Sequence, residues 1–500
     1  MIEFRRPKGT QDFLPHEMAV RNYVDSIIRQ TFEEYGFQQI KTPTFEEFAL
    51  LSVRSGEAIR RKMYTFASNG TEYALRPELT APICRVVASG ELEQISKPYK
   101  LYYIGQCFRY ESSGRDREFR QAGLELMGSS SPIADAEVIT IAVKVLEKLG
   151  IADYKLELSN TGIFREILKE AQVDFDAWSE VIGDVDHVTS LREECQFLET
   201  KSNFDQNDIE YVRSEIENLY RLQGEIKYSG EHKSPLIREL DKNTMNEWLL
   251  KLPITAEETY KAVWMKQNRI SEEYSNLLME ISRVCGTKET IIESAENLLK
   301  KTRQELRSPN LAENAFQNLL EVCEWLDIHG IKTYEVALGV TRGFDFYTGT
   351  VFKIDSPILG ARKQICGGGR YDNLVAEFGG PEIPATGFAF GFERLAEAFE
   401  KSGNDFVELK KDFYVATTSE DMLSQAVKVA EMLREKGKKV EIDLMGRNLT
   451  TQLDYAAKTN FDYAVILDSK PLQEGYVTLM DMKTQEKQQV KISTLKSKLE

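Results

Sequence analysis

No run of about eighteen apolar residues occurs in the 500-residue chain, so no membrane-spanning helix is expected. The opening residues, MIEFRRPKGTQDF, contain no apolar core of the kind a secretory signal carries, and none is expected. Cysteine is sparse. Cys84, Cys107, Cys195, Cys285, Cys323 and Cys366 are scattered and form no CxxC pair, which excludes a zinc ribbon or a disulfide framework. Such thiols suit a reducing compartment, and a cytoplasmic location is expected. Only 4 histidines occur, without ligand spacing, so no protein-bound metal centre is expected. Neither an internal repeat nor a low-complexity tract is present. Positive charge is short as well: 64 Lys and Arg stand against 80 Asp and Glu, for a net charge of −16. That argues against non-specific nucleic-acid binding, which depends on a basic excess, and leaves an RNA partner only local patches. Residues 403–500 carry 15 basic and 16 acidic side chains, so the acid excess lies upstream.

A chain of this length is expected to form two to four domains. Its 42% hydrophobic and 29% charged residues are those of a soluble globular protein. Glu17 to Tyr35 has helical apolar spacing (Val20, Val24, Ile27, Ile28, Phe32) and stops at Gly36. FQQIKTPTFEEF follows as a strand broken at Pro43, which cannot donate to a ladder and so belongs at an edge or an interface. In EYALRPELTAPICR, Arg76, Glu78 and Thr80 alternate. If extended they share a face that could grip a zwitterion; the alternative is a solvated strand face.

Leu101 to Gly128 predicts a hairpin. Arg109 and Glu111 share a face before its Ser/Gly loop, and Phe119, Gln121, Gly123 and Glu125 share one after it. A carboxylate, an amide and a ring facing one way suit a pocket better than solvent, and Arg115, Arg117 and Arg120 add positive charge nearby. Pro132 to Leu149 predicts a helix, Tyr154 to Ser159 a strand, and Phe316 to Leu326 an amphipathic helix. From Phe164 to about Ser308 glycine is rare and charge is dense, which predicts a mostly helical insertion. It could be a spacer, a lid or an RNA-contacting module.

Thr341 to Phe352, TRGFDFYTGTVF, reads as a Gly-flanked turn feeding a strand. Arg342 is a planar cation suited to carboxylate or phosphate, and Tyr347 offers a ring and a hydroxyl. CGGGRYD at 366–372 permits close backbone approach to a ligand, or a bulge. PATGFAFGFERL at 384–395 reads as a strand joined to a helix. After Asp412, strands and helices alternate in a compact α/β domain, with Thr418 and Asp421 forming a capping box.

Taken in order, these segments resemble the histidyl-tRNA synthetases, which are class II aminoacyl-tRNA synthetases. The first helix with the Pro43 strand resembles motif 1, Phe108 to Phe119 motif 2, and Gly387 to Arg394 motif 3. LRPELTA, TRGFDFYTG and GGGRYD resemble segments peculiar to the histidine enzymes. The resemblance implies an α+β fold, an antiparallel sheet flanked by helices. It implies a catalytic core in two parts, 1–163 and 309–402, a helical insertion at 164–308, and an α/β anticodon-binding domain at 403–500. It implies ATP as substrate with Mg2+ accompanying it, tRNA(His) as partner and a homodimer. By the resemblance Arg109, Glu111, Arg115, Phe119 and Arg394 bind ATP. Glu78, Thr80, Gln121, Glu125, Arg342, Phe346, Tyr347 and Tyr371 bind histidine, and Arg342 and Arg109 are catalytic, with Arg370 beside the same pocket. The chain departs from the family where Phe346 stands in place of a frequent tyrosine, and in a short motif 2 loop, SSGR. A regulatory subunit of ATP phosphoribosyltransferase shares the implied fold, but it lacks the anticodon-binding domain and tends to lose the ATP arginines.

Overall fold

The computed structural model describes residues 5–53, 59–110, 116–226, 242–308, 310, 312–341, 346–362, 364–403 and 411–492. Two compact units result: Met1–Leu14 with Arg21–Asn404, and Pro15–Val20 with Asp405–Glu500. Among the described residues no helix is long and apolar enough to cross a membrane.

Helix α1 (Pro15–Glu34) ends at Gly36, whose φ of +80° no side-chain-bearing residue adopts cheaply. On either side of Pro43 lie β1 (Gln38–Gln39) and β2 (Phe45–Glu47), in different sheets. β1 sits at an edge, as a break at proline requires. β3 (Thr65–Ser68) and β4 (Thr71–Leu75) complete a three-stranded sheet with β2. Helix α2 (Thr80–Ala88) follows, then the long hairpin β5 (Tyr99–Phe108) and β6 (Glu118–Met127), helix α3 (Pro132–Lys148) and β7 (Lys155–Asn160).

The 164–308 segment is mostly helical, as its composition predicts. It holds most of α4 (Thr161–Glu170), then α5 (Phe175–Glu199), α6 (Gln206–Ile226), α7 (Lys242–Gln267), α8 (Glu272–Ser282) and α9 (Lys288–Leu306). α5 buries Val181, Val185, Val188, Leu191 and Leu198, a stripe at helical spacing. A short strand, β8 (Cys285–Gly286), lies between α8 and α9. The first unit closes with α10 (Glu313–Ile328), β9 (Glu335–Ala337), β10 (Thr350–Asp355), β11 (Gln364–Arg370), β12 (Ala385–Gly391) and α11 (Phe392–Lys401).

The main sheet runs β1-β5-β6-β12-β11-β10-β7-β9-β8. Its central six strands, β5 to β7 in that order, are antiparallel throughout. Glycines let these strands close. A Cβ on Gly368 would sit 2.2 Å from the Gly387 carbonyl oxygen, and one on Gly369 2.5 Å from that of Thr350. At these two positions of the CGGGRYD run the close approach expected toward a ligand is an approach to neighbouring strands.

The second unit holds β13 (Lys411–Thr417), α12 (Leu423–Arg434), β14 (Val440–Ile442), α13 (Leu449–Lys458), β15 (Phe461–Leu467), β16 (Tyr476–Asp481) and β17 (Lys487–Lys491), with sheet order β14-β13-β15-β16-β17. Alternation along β13 explains its two cores. Phe413 and Val415 pack with Ala426 and Val429 of α12, whereas Tyr414 and Ala416 pack with Ala456 of α13. The expected capping box is not made. Thr418 Oγ1 turns to the Met422 sulfur, 3.7 Å away, and a short 3-10 turn, Glu420–Met422, precedes α12.

Candidate active site

The hairpin places Phe119, Gln121 and Glu125 in one wall of a cavity of about 740 Å3, as alternation along β6 predicts. Glu78 and Thr80 from the start of α2, Phe346 and Tyr347 ahead of β10, and Tyr371 after β11 line the same cavity. So do Arg109, just past β5, and Arg394, in the first turn of α11. One cavity thus collects every described residue of the expected histidine and ATP sets. Glu111, Arg115 and Arg342 lie outside the described residues.

Glu125 is the polar centre, only 1% exposed. Thr80 donates to its Oε1 at 2.8 Å, Tyr103 donates to the same oxygen at 3.2 Å, and Tyr371 donates to Oε2. Burial pushes its carboxyl up to about 8, against these three hydroxyls, which favour the charged form. Two glycines make the room. Glu125 pairs across strands with Gly387, where a Cβ would stand 1.9 Å from Glu125 Oε2. Tyr103 pairs with Gly123, where a Cβ would meet the Tyr103 hydroxyl at 2.6 Å. Tyr103 is a partner of Glu125 that the sequence reading missed. Its signal was Gly123, a side chain left out of an otherwise functional alternating face.

Arg76, Glu78 and Thr80 do not share an extended face, because β4 ends at Leu75 and Thr80 opens α2. The Arg76 guanidinium is buried and spent on structure: it donates to the carbonyls of Thr42 at 2.9 Å, Pro43 at 2.9 Å and Gln106 at 2.8 Å. Glu78 caps α2 by accepting from the backbone N–H of Thr80 and of Ala81, the latter at 3.0 Å. Burial raises its carboxyl, although those N–H groups and Arg109 pull it down. Arg109 donates through Nε to the Pro77 carbonyl at 2.9 Å, and its guanidinium carbon stands 5.1 Å from the centre of the Phe119 ring. Arg394 donates to the Gln364 carbonyl at 2.8 Å. Arg117 lies over the Tyr110 ring, and Arg120 pairs with Asp25 at 2.8 Å, so neither is aimed at the cavity. Arg370 is buried against Asp135 at 2.9 Å and is structural. The Phe346 and Tyr347 rings meet at a tilt of 51° with 4.8 Å between their centres, and Phe346 meets Tyr371 edge-on at 5.6 Å.

Glu157, Glu193 and Asp355 cluster closely enough to hold a cation. Lys353 already supplies it, with its ammonium 2.9, 2.7 and 3.9 Å from the three carboxylates. These acids therefore do not fit a Mg2+ ion.

A family model described as histidyl-tRNA synthetase matches residues 9–193 and 255–395, and one described as anticodon binding domain matches 412–500. The histidine–tRNA ligase of Methanocaldococcus jannaschii is 34% identical, with 99% of each chain covered. The chain belongs to the histidyl-tRNA synthetase family. It is thus a class II aminoacyl-tRNA synthetase and an enzyme of the histidine–tRNA ligase class, with a mixed α+β core and a C-terminal anticodon-binding domain. Among solved structures, a histidyl-tRNA synthetase from S. aureus matches with a TM-score of 0.65 at 22% identity, covering 99% of each chain. A chain titled ATP phosphoribosyltransferase regulatory subunit/histidyl-tRNA synthetase from Bacillus halodurans matches with a TM-score of 0.61 at 22% identity, covering 94% of this chain and 100% of its own. At that identity both speak for the histidyl-tRNA synthetase fold alone. The gap at 194–254 in the family match falls within the helices between β7 and β9.

Proposed function

We propose that the chain joins L-histidine to tRNA(His) through a histidyl-adenylate. The histidine carboxylate attacks the α-phosphorus of ATP and expels pyrophosphate. The terminal hydroxyl of the tRNA then attacks the activated carbonyl and expels AMP. No side-chain nucleophile is required, so catalysis is positioning plus charge stabilisation. Glu125 and Tyr347 hydrogen-bond the imidazole, with Tyr371, Tyr103 and Thr80 holding the Glu125 carboxylate. Glu78, Thr80 and Gln121 hold the α-amino group. Phe119 stacks on adenine. Arg109 and Arg394 hold the phosphates with Arg115 and Glu111 beside them, and Arg342 bridges the attacking carboxylate and the α-phosphate. Mg2+ travels with ATP as part of that substrate, without an assigned protein ligand. Phe346 closes the pocket as a ring without a hydroxyl. We place the enzyme in the cytoplasm as a homodimer, with the helical insertion at 164–308 and the anticodon-reading domain from 403.

The observation that supports this reading most is the buried Glu125 carboxylate, ringed by three hydroxyls in a cavity that also holds Arg109, Phe119 and Arg394. A site built to satisfy both imidazole nitrogens rejects analogues that leave its own buried groups unpaired. A non-catalytic regulatory paralogue is the rival. The anticodon-binding match at 412–500 and the retained Arg109, Arg342 and Arg394 weigh against it. Histidine-dependent exchange of pyrophosphate into ATP tests the choice. Exchange with histidine and with no other amino acid is expected. Folded protein that binds histidine yet shows no exchange would be the paralogue.

A further inference from the structure

Thr341 is fully buried and doubly held by α5. Its backbone N–H donates to Asp186 Oδ1 at 3.1 Å, and its hydroxyl donates to the Ile182 carbonyl at 2.9 Å. The chain arrives there in close contact with the same helix. A Cβ on Gly339 would lie 2.3 Å from the Ser282 carbonyl oxygen and 2.5 Å from the Thr189 hydroxyl, so only glycine lets 337–341 lie against α5 and α8. Past the segment that carries Phe346 and Tyr347, Lys353 of β10 returns to α5 and donates to both oxygens of Glu193, at 2.8 and 2.7 Å. Between these two anchors Arg165 of α4 donates to the Tyr347 carbonyl at 3.1 Å. Ile182, Asp186 and Glu193 are spaced four and seven apart, which puts them on one face of a rigid rod. Asp186 and Glu193 lie roughly 10 Å apart along its axis.

We propose that α5, which lies in the helical insertion, is a positioning element for adenylate formation: Asp186 holds Thr341 and Glu193 holds Lys353, so that Phe346 and Tyr347 are kept in register with the substrates. The inference rests on the reading above that Phe346 and Tyr347 border the histidine pocket and that Arg342, the residue after Thr341 in the chain, acts on the reacting groups. Asp186 acts through Thr341 and is a positioning residue. Near-attack geometry is steep in distance, and a shift of about 1 Å costs on the order of a hundredfold in rate. A helix anchored at both ends of the segment gives the insertion a mechanical route to the reaction, so that displacing the insertion changes the rate of the first step and not the affinity for its substrates.

The test is histidine-dependent pyrophosphate exchange by the full-length enzyme, with the melting temperature measured on each preparation. Asp186→Ala removes the acceptor. It is expected to lower kcat by about 10- to 100-fold while the KM values for histidine and ATP stay within about threefold. Asp186→Asn keeps an oxygen that can accept from the Thr341 N–H and is expected to restore kcat to within about threefold of wild type. Thr341→Val removes the bond to Ile182 alone and is expected to lower kcat by a smaller factor in the same direction; it decides the matter should Asp186→Ala not fold. An unchanged kcat in these variants overturns the clamp. So does a rise in KM at constant kcat, which would mean that Asp186 touches substrate, and so does an Asn variant as slow as the Ala variant. A wild-type enzyme silent in the assay fails at the earlier step and overturns the reading on which the clamp rests, whereas an active wild type with unaffected variants overturns the clamp alone.

Discussion

At the scale of the residue, Glu125 shows how burial and distant partners remake a carboxylate. It sits on a strand face that the sequence makes legible, but its properties come from Tyr103 and Tyr371, which are distant in sequence, and from the space left by Gly387. Burial raises its carboxyl from 4.5 to about 8. A folded pKa above the unfolded value means that the folded state holds its proton more tightly. The stability this confers is therefore present below about pH 4.5 and is lost as pH rises toward 8. Glu125→Gln mimics the protonated form. Its melting temperature is expected to gain on that of wild type steadily between pH 5 and 8, as a thermal melt at several pH values would record. A gap that narrows over that range would show that the carboxylate is stabilised by its hydroxyl donors more than burial opposes it. For Arg342 the expectation comes from chemistry. Arg342→Lys keeps the charge but loses the planar fork that can span two oxyanions. It should cut the adenylation rate by roughly two to four decades, with ATP affinity within about tenfold. A near-normal single-turnover rate with a lowered melting temperature would make Arg342 a structural ion pair.

At the scale of the element, three pieces of secondary structure meet at one buried ammonium. Lys353 on β10 joins Glu157 on β7, Glu193 on α5 and Asp355 of its own strand. Burial would raise the Glu157 carboxyl, but Lys353 and Lys155 outweigh it and hold it below the ordinary range. Lys353→Met removes the cation shared by Glu193 and Asp355 and leaves Glu157 with Lys155 alone, and breaking a buried pair in this way typically costs about 3–5 kcal/mol. The urea midpoint is expected to fall accordingly and to recover in part at low pH, where the carboxylates take up protons. Loss of under about 1 kcal/mol would mean that water reaches the cluster. The sequence contains no trace of this junction, because Lys353 reads as one charge in an alternating strand and Glu193 as one of many on a helix.

At the scale of the whole molecule, the division of labour is separable. Every described residue lining the cavity lies between Ile59 and Glu397, whereas the second unit has its own two-faced sheet and its own cores. A chain ending at residue 404 is expected to retain histidine-dependent pyrophosphate exchange within about tenfold and to lose most tRNA charging, since binding energy from remote contacts is what the second substrate would forfeit. Exchange abolished along with charging, in a chain that still melts cooperatively, would tie the first step to the second unit.

The amino-acid sequence by itself determined the elements and their order. Helix and strand periodicities are local, and so are glycine stops such as Gly36 and proline breaks such as Pro43. Strand alternation likewise put Phe119, Gln121 and Glu125 on one face without knowledge of what that face meets. It misled where a strand ended sooner than the pattern implied, at Leu75, so that Arg76 turned to backbone carbonyls and Glu78 to the start of a helix. The tertiary structure alone decided which distant groups meet. The Tyr103 and Tyr371 hydroxyls on Glu125, the Asp186 carboxylate on Thr341 and the Lys353 ammonium among three acids each depend on strand pairing or helix docking over a long sequence separation. The physical reason is that local periodicity sets which way a side chain points, whereas burial and its partners set its charge, and those are fixed only when the sheet has closed.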